Sequence, residues 1–185
     1  MGLLNNIECP KIIVTAKAGR EDRVKGELED LLYKLDPNIL IKKTRYRDLL
    51  EIFSEVDADK LFQEIRNRPP YASIRAVKVD LCINADIKKI IDICIELLKR
   101  IPKHGERKIR VECSKRGGYV ESCKAIEIAV GTAIERSEIA KIDLKKPTDV
   151  IKIEIIDDLA YIGIMRPGSD KLRKIDKILY ERSQS

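Results

Sequence analysis

Aromatic residues are scarce in this chain. It contains no tryptophan, two phenylalanines and six tyrosines, so aromatics make up 4% of its 185 residues. If the chain binds nucleic acid, stacking of bases on aromatic side chains should therefore be a minor term, and phosphate contacts should dominate. Hydrophobic residues make up 44% of the chain and are mainly Ile, Leu and Val, which favours packed cores that contain strands.

Residues that bind metal ions are also few. The only histidine, His104, lies in a Pro-Lys-His-Gly loop without a Cys or Asp pair nearby, so we expect neither a metal site nor a cofactor. The five cysteines form no C-x-x-C pair, which argues against a zinc ribbon and against a disulfide framework. We therefore expect buried, reduced thiols. The cysteines are Cys9, Cys82, Cys94, Cys113 and Cys123.

Long apolar segments are absent too. No run approaches the roughly 20 residues that a membrane span needs, and the N-terminal MGLLNNIECPK lacks the pattern of a signal peptide. These features predict a cytoplasmic protein without a membrane partner. The net charge of +6 and the pI near 9.0 favour an anionic partner, and nucleic acid is the leading class.

The first part of the chain, residues 1–83, predicts a ferredoxin-like domain. KIIVTA is a β-branched run, and the segment after it has apolar residues at helical spacing up to the stop at Asp36-Pro37. ILIKKTR and DLLEIFS predict two strands joined by a tight turn, and a short helix begins at Asp57. SIRAVKVDLCI alternates like a single strand. The order β-α-β-β-α-β is that of the ferredoxin-like fold.

The second part, residues 84–166, predicts the order α-β-α-β-β, so the fold class is α/β (α+β) with two small domains. Asn84-Ala85-Asp86 is a good helix cap, and the helical pattern after it continues to Pro102. KIRVEC predicts a strand with one solvated face, CKAIEIAVGTAIE a helix, and VIKIEIID with LAYIGIM a hairpin. Residues 167–185 are a basic C-terminal tail that is either an amphipathic helix or frayed.

The stretch SKRGGYVES lies between a predicted strand and a predicted helix and combines glycines with cations. Cations are normally unfavourable at a helix N-terminus, where the free N–H groups bind anions. This chain nevertheless has Lys115 and Arg116 before the helix and Lys124 in its first turn, which a bound phosphate would explain. Gly117 and Gly118 would let backbone amides approach that phosphate. The alternative is a solvated loop in which the glycines serve only the turn.

The segment KIDLKKPTD adds Lys141, Lys145 and Lys146 near a proline that restricts the backbone. The alternative for this segment is a charged loop in which Asp143 balances a lysine. Because both segments belong to one domain and lie at the ends of elements, their cations could form one patch that contacts RNA phosphates. Arg20, in the first strand-to-helix turn, is a weaker candidate.

These motifs together resemble the THUMP domain of RNA-modifying proteins. The resemblance runs from about residue 84 to 165: R-G-G-Y, a helix with Ile126-Glu127 and Gly131, the element Lys141 to Asp149, and the strand VIKIEI. The unit before it resembles the ferredoxin-like domain that accompanies THUMP. The resemblance implies tRNA recognition near the acceptor stem and its 3′ end. The RNA-binding candidates are Lys115, Arg116, Gly117, Gly118, Tyr119, Lys124, Lys141, Lys145 and Lys146, with Tyr119 on a ribose or a base.

Larger THUMP proteins carry a methyltransferase, deaminase or thiouridine-forming domain. The sequence contains no G-x-G-x-x-G loop, no Ser-Gly-Gly pyrophosphatase loop and no zinc-deaminase constellation. The chain is therefore similar to the stand-alone THUMP adaptor family of tRNA cytidine acetylation. That similarity implies a protein without catalytic residues, which presents tRNA to a separate modifying enzyme, an acetyltransferase.

Two other interpretations stay open. Ferredoxin-like units also pair into regulatory or scaffold modules that bind a small metabolite or a protein instead of RNA. An enzyme that uses the thiol of Cys113 or Cys123 is the other alternative, because nearby positive charge could activate a thiol. An RNA-recognition motif is disfavoured, because Tyr119 is the only ring in KRGGYV and the segment leads into a helix.

Overall fold

The computed structural model describes residues 8–102 and 105–172. The chain divides into two compact units. The first unit holds Pro10–Lys78 and, of the described residues after the other unit, 168–172; the second unit holds residues 8–9 and Val79–Pro167. His104 and the tail beyond residue 172, both considered above, lie outside the described residues. The predicted domain boundaries at 83 and 166 stay a prediction.

The first unit has the predicted order of strands and helices. Its elements are β1 (Ile12–Ala16), α1 (Glu21–Leu32), β2 (Leu40–Lys43), β3 (Leu49–Phe53), α2 (Ala58–Asn67) and β4 (Ser73–Lys78). The sheet order is β2-β3-β1-β4, and every neighbouring pair is antiparallel. This is the strand order of a ferredoxin-like sheet, so the predicted fold class is confirmed for this unit.

Helical spacing and capping explain the two helices of the first unit. Val24, Leu28 and Leu32 recur every four residues on α1 and are buried, which gives that helix one apolar face. The side chain of Asp57 caps α2 by accepting hydrogen bonds from the N–H groups of Asp59 and Lys60. Both helices contact the sheet and each other, so the core lies between the helices and the sheet.

The second unit is a five-stranded sheet with two helices. Its elements are β5 (Leu81–Asn84), α3 (Ile87–Arg100), β6 (Lys108–Arg116), α4 (Cys123–Arg136), β7 (Lys141–Ile142), β8 (Asp149–Ile156) and β9 (Leu159–Met165). The sheet order is β5-β9-β8-β6-β7, with β6 parallel to both of its neighbours and β8–β9 forming the predicted hairpin. Asp86 caps α3, as predicted, by accepting a hydrogen bond from the N–H of Lys89.

The prediction of one strand over SIRAVKVDLCI was wrong. β4 ends at Lys78 in the first sheet, and β5 begins at Leu81 in the second sheet. Asp80 lies where the chain passes from the first sheet to the second. Its N–H donates to the carbonyl of Ile162 and its carboxylate accepts from the N–H of Ile164, both at 2.8 Å. The alternation of apolar and polar residues continues through this junction. Such alternation predicts which side chains of a strand are buried, but it does not predict which of two sheets buries them.

The expectation of reduced thiols was also wrong for four of the five cysteines. Disulfides join Cys9 to Cys82 and Cys113 to Cys123, with Cα–Cα distances of 5.7 and 5.3 Å. Cys94 is free and buried, as expected. The bonded cysteines are 73 and 10 residues apart in sequence, so only the fold brings their Cα atoms within bonding range.

None of the helices in the described ranges is long and apolar enough to cross a membrane.

Candidate nucleic-acid interface

The second unit has a strand with an open edge. β7 pairs with β6 only at Lys108 and Ile109, whereas β8 pairs with β6 along residues 109–116. Over 110–116, β6 therefore has a strand neighbour on one side only within the described ranges. Two hydrogen bonds show which groups face the open side: the carbonyl of Ile109 accepts from Asp143 N–H, and the N–H of Cys113 donates to Glu127, both at 3.0 Å. An open edge offers backbone N–H groups to another molecule.

A shallow groove of about 210 Å³ runs along this edge. Its lining is Val111, Lys124, Glu127, Ile128, Gly131, Thr132, Glu135, Ile142 and Leu144. Two of these apolar side chains are largely exposed, Ile128 at 58% and Leu144 at 64%. Gly131 leaves room between α4 and β7, because a Cβ there would meet only the side chain of Ile142, at 3.7 Å. The groove therefore combines an apolar floor with charged rims.

One end of the groove is the loop 143–146. The carboxylate of Asp143 accepts hydrogen bonds from the N–H groups of Lys146 and Lys145, at 2.9 and 3.0 Å, and these bonds lower the pKa of Asp143. Asp143 also lies 3.6 Å from the ammonium of Lys108. The side chains of Lys145 and Lys146 are exposed and form no ion pair with the described residues. Asp143 therefore shapes this loop and leaves its two lysines available for phosphate.

The glycine loop 115–121 follows the other end of β6. The ammonium of Lys115 donates to the carbonyls of Val120 and Glu121, both at 2.8 Å. This clasp joins the start of the loop to its end. Gly117 has a φ of 88°, which glycine adopts without strain, so the turn alone explains this glycine. Gly118 is open, with no atom within 4 Å of a Cβ built there, and Tyr119 is 62% exposed.

Two further predicted cations are paired with carboxylates. The ammonium of Lys141 lies 2.5 Å from Glu106, and the hydrogen bond between them raises the pKa of Lys141. Lys124 lies 3.6 Å from Glu127 one turn along α4. Such exposed pairs contribute little to stability, so a phosphate could compete for either cation. Arg116 donates to the carbonyl of Lys115 at 3.2 Å.

The predicted residues flank the open edge at both ends. The guanidinium of Arg110 donates to the carbonyl of Leu144 at 3.3 Å, so the loop 143–146 lies beside the start of β6. The glycine loop begins five residues further along, at Lys115, which is about 16 Å at the rise of a strand. Lys124 and Leu144 line the same groove between the two loops. Whether all these cations act as one RNA-binding patch stays a prediction.

The sequence interpretation missed several features of this interface. The exposed Ile128 and Leu144 and the carboxylate of Glu127 at the strand edge were not anticipated. β7 ends at Ile142 because Asp143 turns the chain there, by accepting hydrogen bonds from the N–H groups of Lys145 and Lys146.

The first unit has its own exposed basic end. The N–H of Ala16 donates to the carbonyl of Asp48 at 2.8 Å, which brings the β1–α1 loop beside the β2–β3 turn. These two loops carry Lys17, Arg20 and Arg47, which are exposed and form no ion pair with the part of the chain that the structure describes. Arg20 was the weaker sequence candidate; Lys17 and Arg47 were missed because strand pairing, not sequence proximity, places them there.

Comparison with known proteins identifies the second unit. Residues 84–165 match the family model of the THUMP domain, and this part of the chain is a THUMP domain, as predicted. A comparison with curated proteins gave no match.

Solved structures share the fold over most of the chain. PH1313 from Pyrococcus horikoshii Ot3 is similar with a TM-score of 0.66 and 18% identity over 87% of this chain and 55% of that one. TrmN from Thermus thermophilus has a TM-score of 0.60 and 18% identity, covering 84% and 46%. A 4-thiouridine synthetase in complex with RNA and bound ATP has a TM-score of 0.54 and 13% identity, covering 85% and 42%. The chain thus spans about half the length of these proteins, and identities this low show the fold alone.

Proposed function

We propose that this chain is a tRNA-binding adaptor that recognises the acceptor stem and 3′ end and presents the tRNA to a separate modifying enzyme. The observation that carries the proposal is the THUMP domain with an open β6 edge, flanked by the exposed Lys145 and Lys146 and by the glycine loop. A similar fold in a 4-thiouridine synthetase–RNA complex supports RNA as the partner.

The interface suits backbone recognition of a folded RNA. A-form duplexes present phosphates and ribose hydroxyls, and proteins recognise them mainly by shape and charge. The exposed lysines at the loop 143–146 would contact phosphates, and the open edge of β6 would offer N–H groups to further oxygens. The apolar side chains of Ile128 and Leu144 suit the less polar faces of a ribose or an unpaired base at the 3′ end.

The enzyme of this pair is, in our proposal, a cytidine acetyltransferase, and the chain itself is non-catalytic and acts in the cytoplasm. A test is acetylation of a tRNA transcript by a purified acetyltransferase with and without this protein. Acetylation that does not depend on the protein would overturn the adaptor role.

The experiment that tests RNA recognition is a salt titration of binding to an intact tRNA and to the same tRNA without its terminal CCA. We expect a steep loss of affinity with salt, because each neutralised phosphate releases counterions, and weaker binding after truncation. Equal binding to both RNAs would overturn end recognition. A failure to bind either RNA at low salt would overturn the proposal in favour of a metabolite-binding or scaffold module.

A further inference from the structure

A disulfide encloses the glycine loop of the interface. Cys113 lies in β6 just before the loop, and Cys123 is the first residue of α4 just after it. Their Cα atoms are 5.3 Å apart and their sulfur atoms are bonded. The covalent ring therefore contains Lys115, Arg116, Gly117, Gly118 and Tyr119, five of the predicted RNA contacts.

The two bonded cysteines lie nearer the surface than the free thiol of the same unit. Cys113 and Cys123 are both only half-buried, and the residues between 117 and 119 are exposed. Cys94 of the same unit is, in contrast, fully buried and free. We therefore expect a reagent in solution to reach the Cys113–Cys123 bond while Cys94 stays protected in the core.

We propose that Cys113 and Cys123 form a redox-modification site, which is opened by a dithiol and closed by a small disulfide, and which controls the shape of the RNA-contacting loop. This inference rests on the proposed RNA interface. In the opening step a thiolate of the dithiol attacks one cysteine sulfur, the S–S bond breaks, and the other cysteine leaves as a thiolate that takes up a proton. The second thiol of the reagent then displaces the first cysteine, so the dithiol is oxidised by two electrons to its disulfide and the protein gains two thiols.

Opening the ring changes what holds the loop. In the closed form the loop is fixed covalently at its base and by the clasp from Lys115 to the carbonyls of Val120 and Glu121. In the open form only hydrogen bonds hold it, among them that clasp and the Cys113 N–H bond to Glu127. A loop ordered before binding loses less entropy when RNA binds, so the closed form should bind tRNA more tightly.

The second disulfide is a matched control. Cys9–Cys82 joins the segment before β1 to β5, and neither cysteine contributes to the glycine loop or the groove. The experiment compares wild type, the pair Cys113→Ser with Cys123→Ser, and the pair Cys9→Ser with Cys82→Ser, each with and without dithiothreitol. Mass spectrometry counts the thiols, trypsin cleavage after Lys115 and Arg116 reports loop opening without RNA, and tRNA affinity is measured in parallel.

We expect dithiothreitol to speed cleavage of the loop and to weaken tRNA binding about fivefold in wild type and in the Cys9–Cys82 variant. The variant without Cys113 and Cys123 should bind tRNA with the weaker affinity from the start, and dithiothreitol should change neither its affinity nor its cleavage. A bond that dithiothreitol cannot reduce, or a reduced loop with unchanged cleavage and affinity, would overturn the inference. A response that disappears instead in the Cys9–Cys82 variant would also overturn it. Faster cleavage without tRNA binding in any state would support the redox site while overturning the proposed function.

Discussion

Lys145 and Lys146 differ from Lys115, which is bonded to carbonyls of its own loop, and from Lys124 and Lys141, which are paired with carboxylates, because their side chains have no such partner within the described ranges. Changing both to Ala should weaken tRNA binding about tenfold and flatten its salt dependence, because two phosphate contacts are lost. The matched control is Lys88→Ala with Lys89→Ala, which removes the same charge from exposed positions of α3. Equal losses in both variants would mean that only net charge matters and that this loop is not a contact site.

Asp143 is predicted to assist RNA binding although it is an anion near the RNA. Its carboxylate accepts from the N–H groups of Lys146 and Lys145, so Asp143→Ala should release the loop and lower tRNA affinity. Asp143→Asn retains an acceptor oxygen and removes the charge, so affinity should stay the same or rise. The check is tRNA affinity with amide hydrogen exchange of the loop; an affinity that rises in the Ala variant would contradict the role of the turn.

The pKa of Asp143 sets the pH range of this turn. The hydrogen bonds from Lys146 and Lys145 lower that pKa from its ordinary value of 3.8. A lowered carboxyl pKa stabilises the folded loop fully above the unfolded value and loses that contribution as the pH falls through the folded value. The turn should thus be intact throughout the neutral range in which tRNA binding is measured.

Without a reductant, Cys94 should be the only cysteine with a free thiol. We expect this thiol to react with an alkylating reagent only after the protein has been unfolded. Cys94 is buried on α3, and burial raises its pKa to about 12. Iodoacetamide at pH 8 should therefore leave the native protein unlabelled, because the thiolate is the reactive form. In urea without reductant one thiol per chain should react, since the other four are bonded. Labelling of additional thiols would contradict the two disulfides.

At the level of elements, α4 contributes the floor of the groove through a glycine in the helix interior. A Cβ at Gly131 would meet Ile142 at an ordinary contact distance of 3.7 Å, so Gly131→Ala should raise the free energy of unfolding by about 0.5–1 kcal/mol through helix propensity. Gly131→Leu should fill the groove and weaken tRNA binding. Urea unfolding separates the two effects. Unchanged affinity in a folded Leu variant would exclude the groove from RNA contact.

Sequence patterns predicted the helices well because helix formation depends on residues that are close in sequence. The recurrence of Val24, Leu28 and Leu32 and the cap at Asp86 depend on neighbours within a few residues, and the structure has both helices. The break at Asp80 and the two disulfides depend on partners more than 70 residues away or on a loop that folds back, so no local period reports them. The open edge of β6 was missed for the same reason, because it depends on how far β7 continues.

On the scale of the whole molecule, exposed basic residues occur on both units. The second unit has the loop 143–146, and the first unit has its own exposed basic end at Lys17, Arg20 and Arg47. With a net charge of +6, part of any RNA affinity will be a general attraction. Separating specific contacts from that attraction requires variants that remove equal charge from different surfaces.

The last prediction concerns the basic end of the first unit. Arg20 and Arg47 lie on loops that the Ala16–Asp48 hydrogen bond brings together, so changing both to Ala should lower tRNA affinity about tenfold if RNA contacts this end. The matched control is Lys60→Ala with Arg66→Ala on α2, which removes two exposed positive charges from the same unit. Combined with the Lys145 and Lys146 changes, the losses should add in free energy if the two surfaces bind the RNA independently. If the combined variant binds tRNA no more weakly than either pair alone, the two surfaces compete for one site on the RNA. If the control variant binds tRNA as weakly as the Arg20 and Arg47 variant, the first unit contributes only general electrostatic attraction.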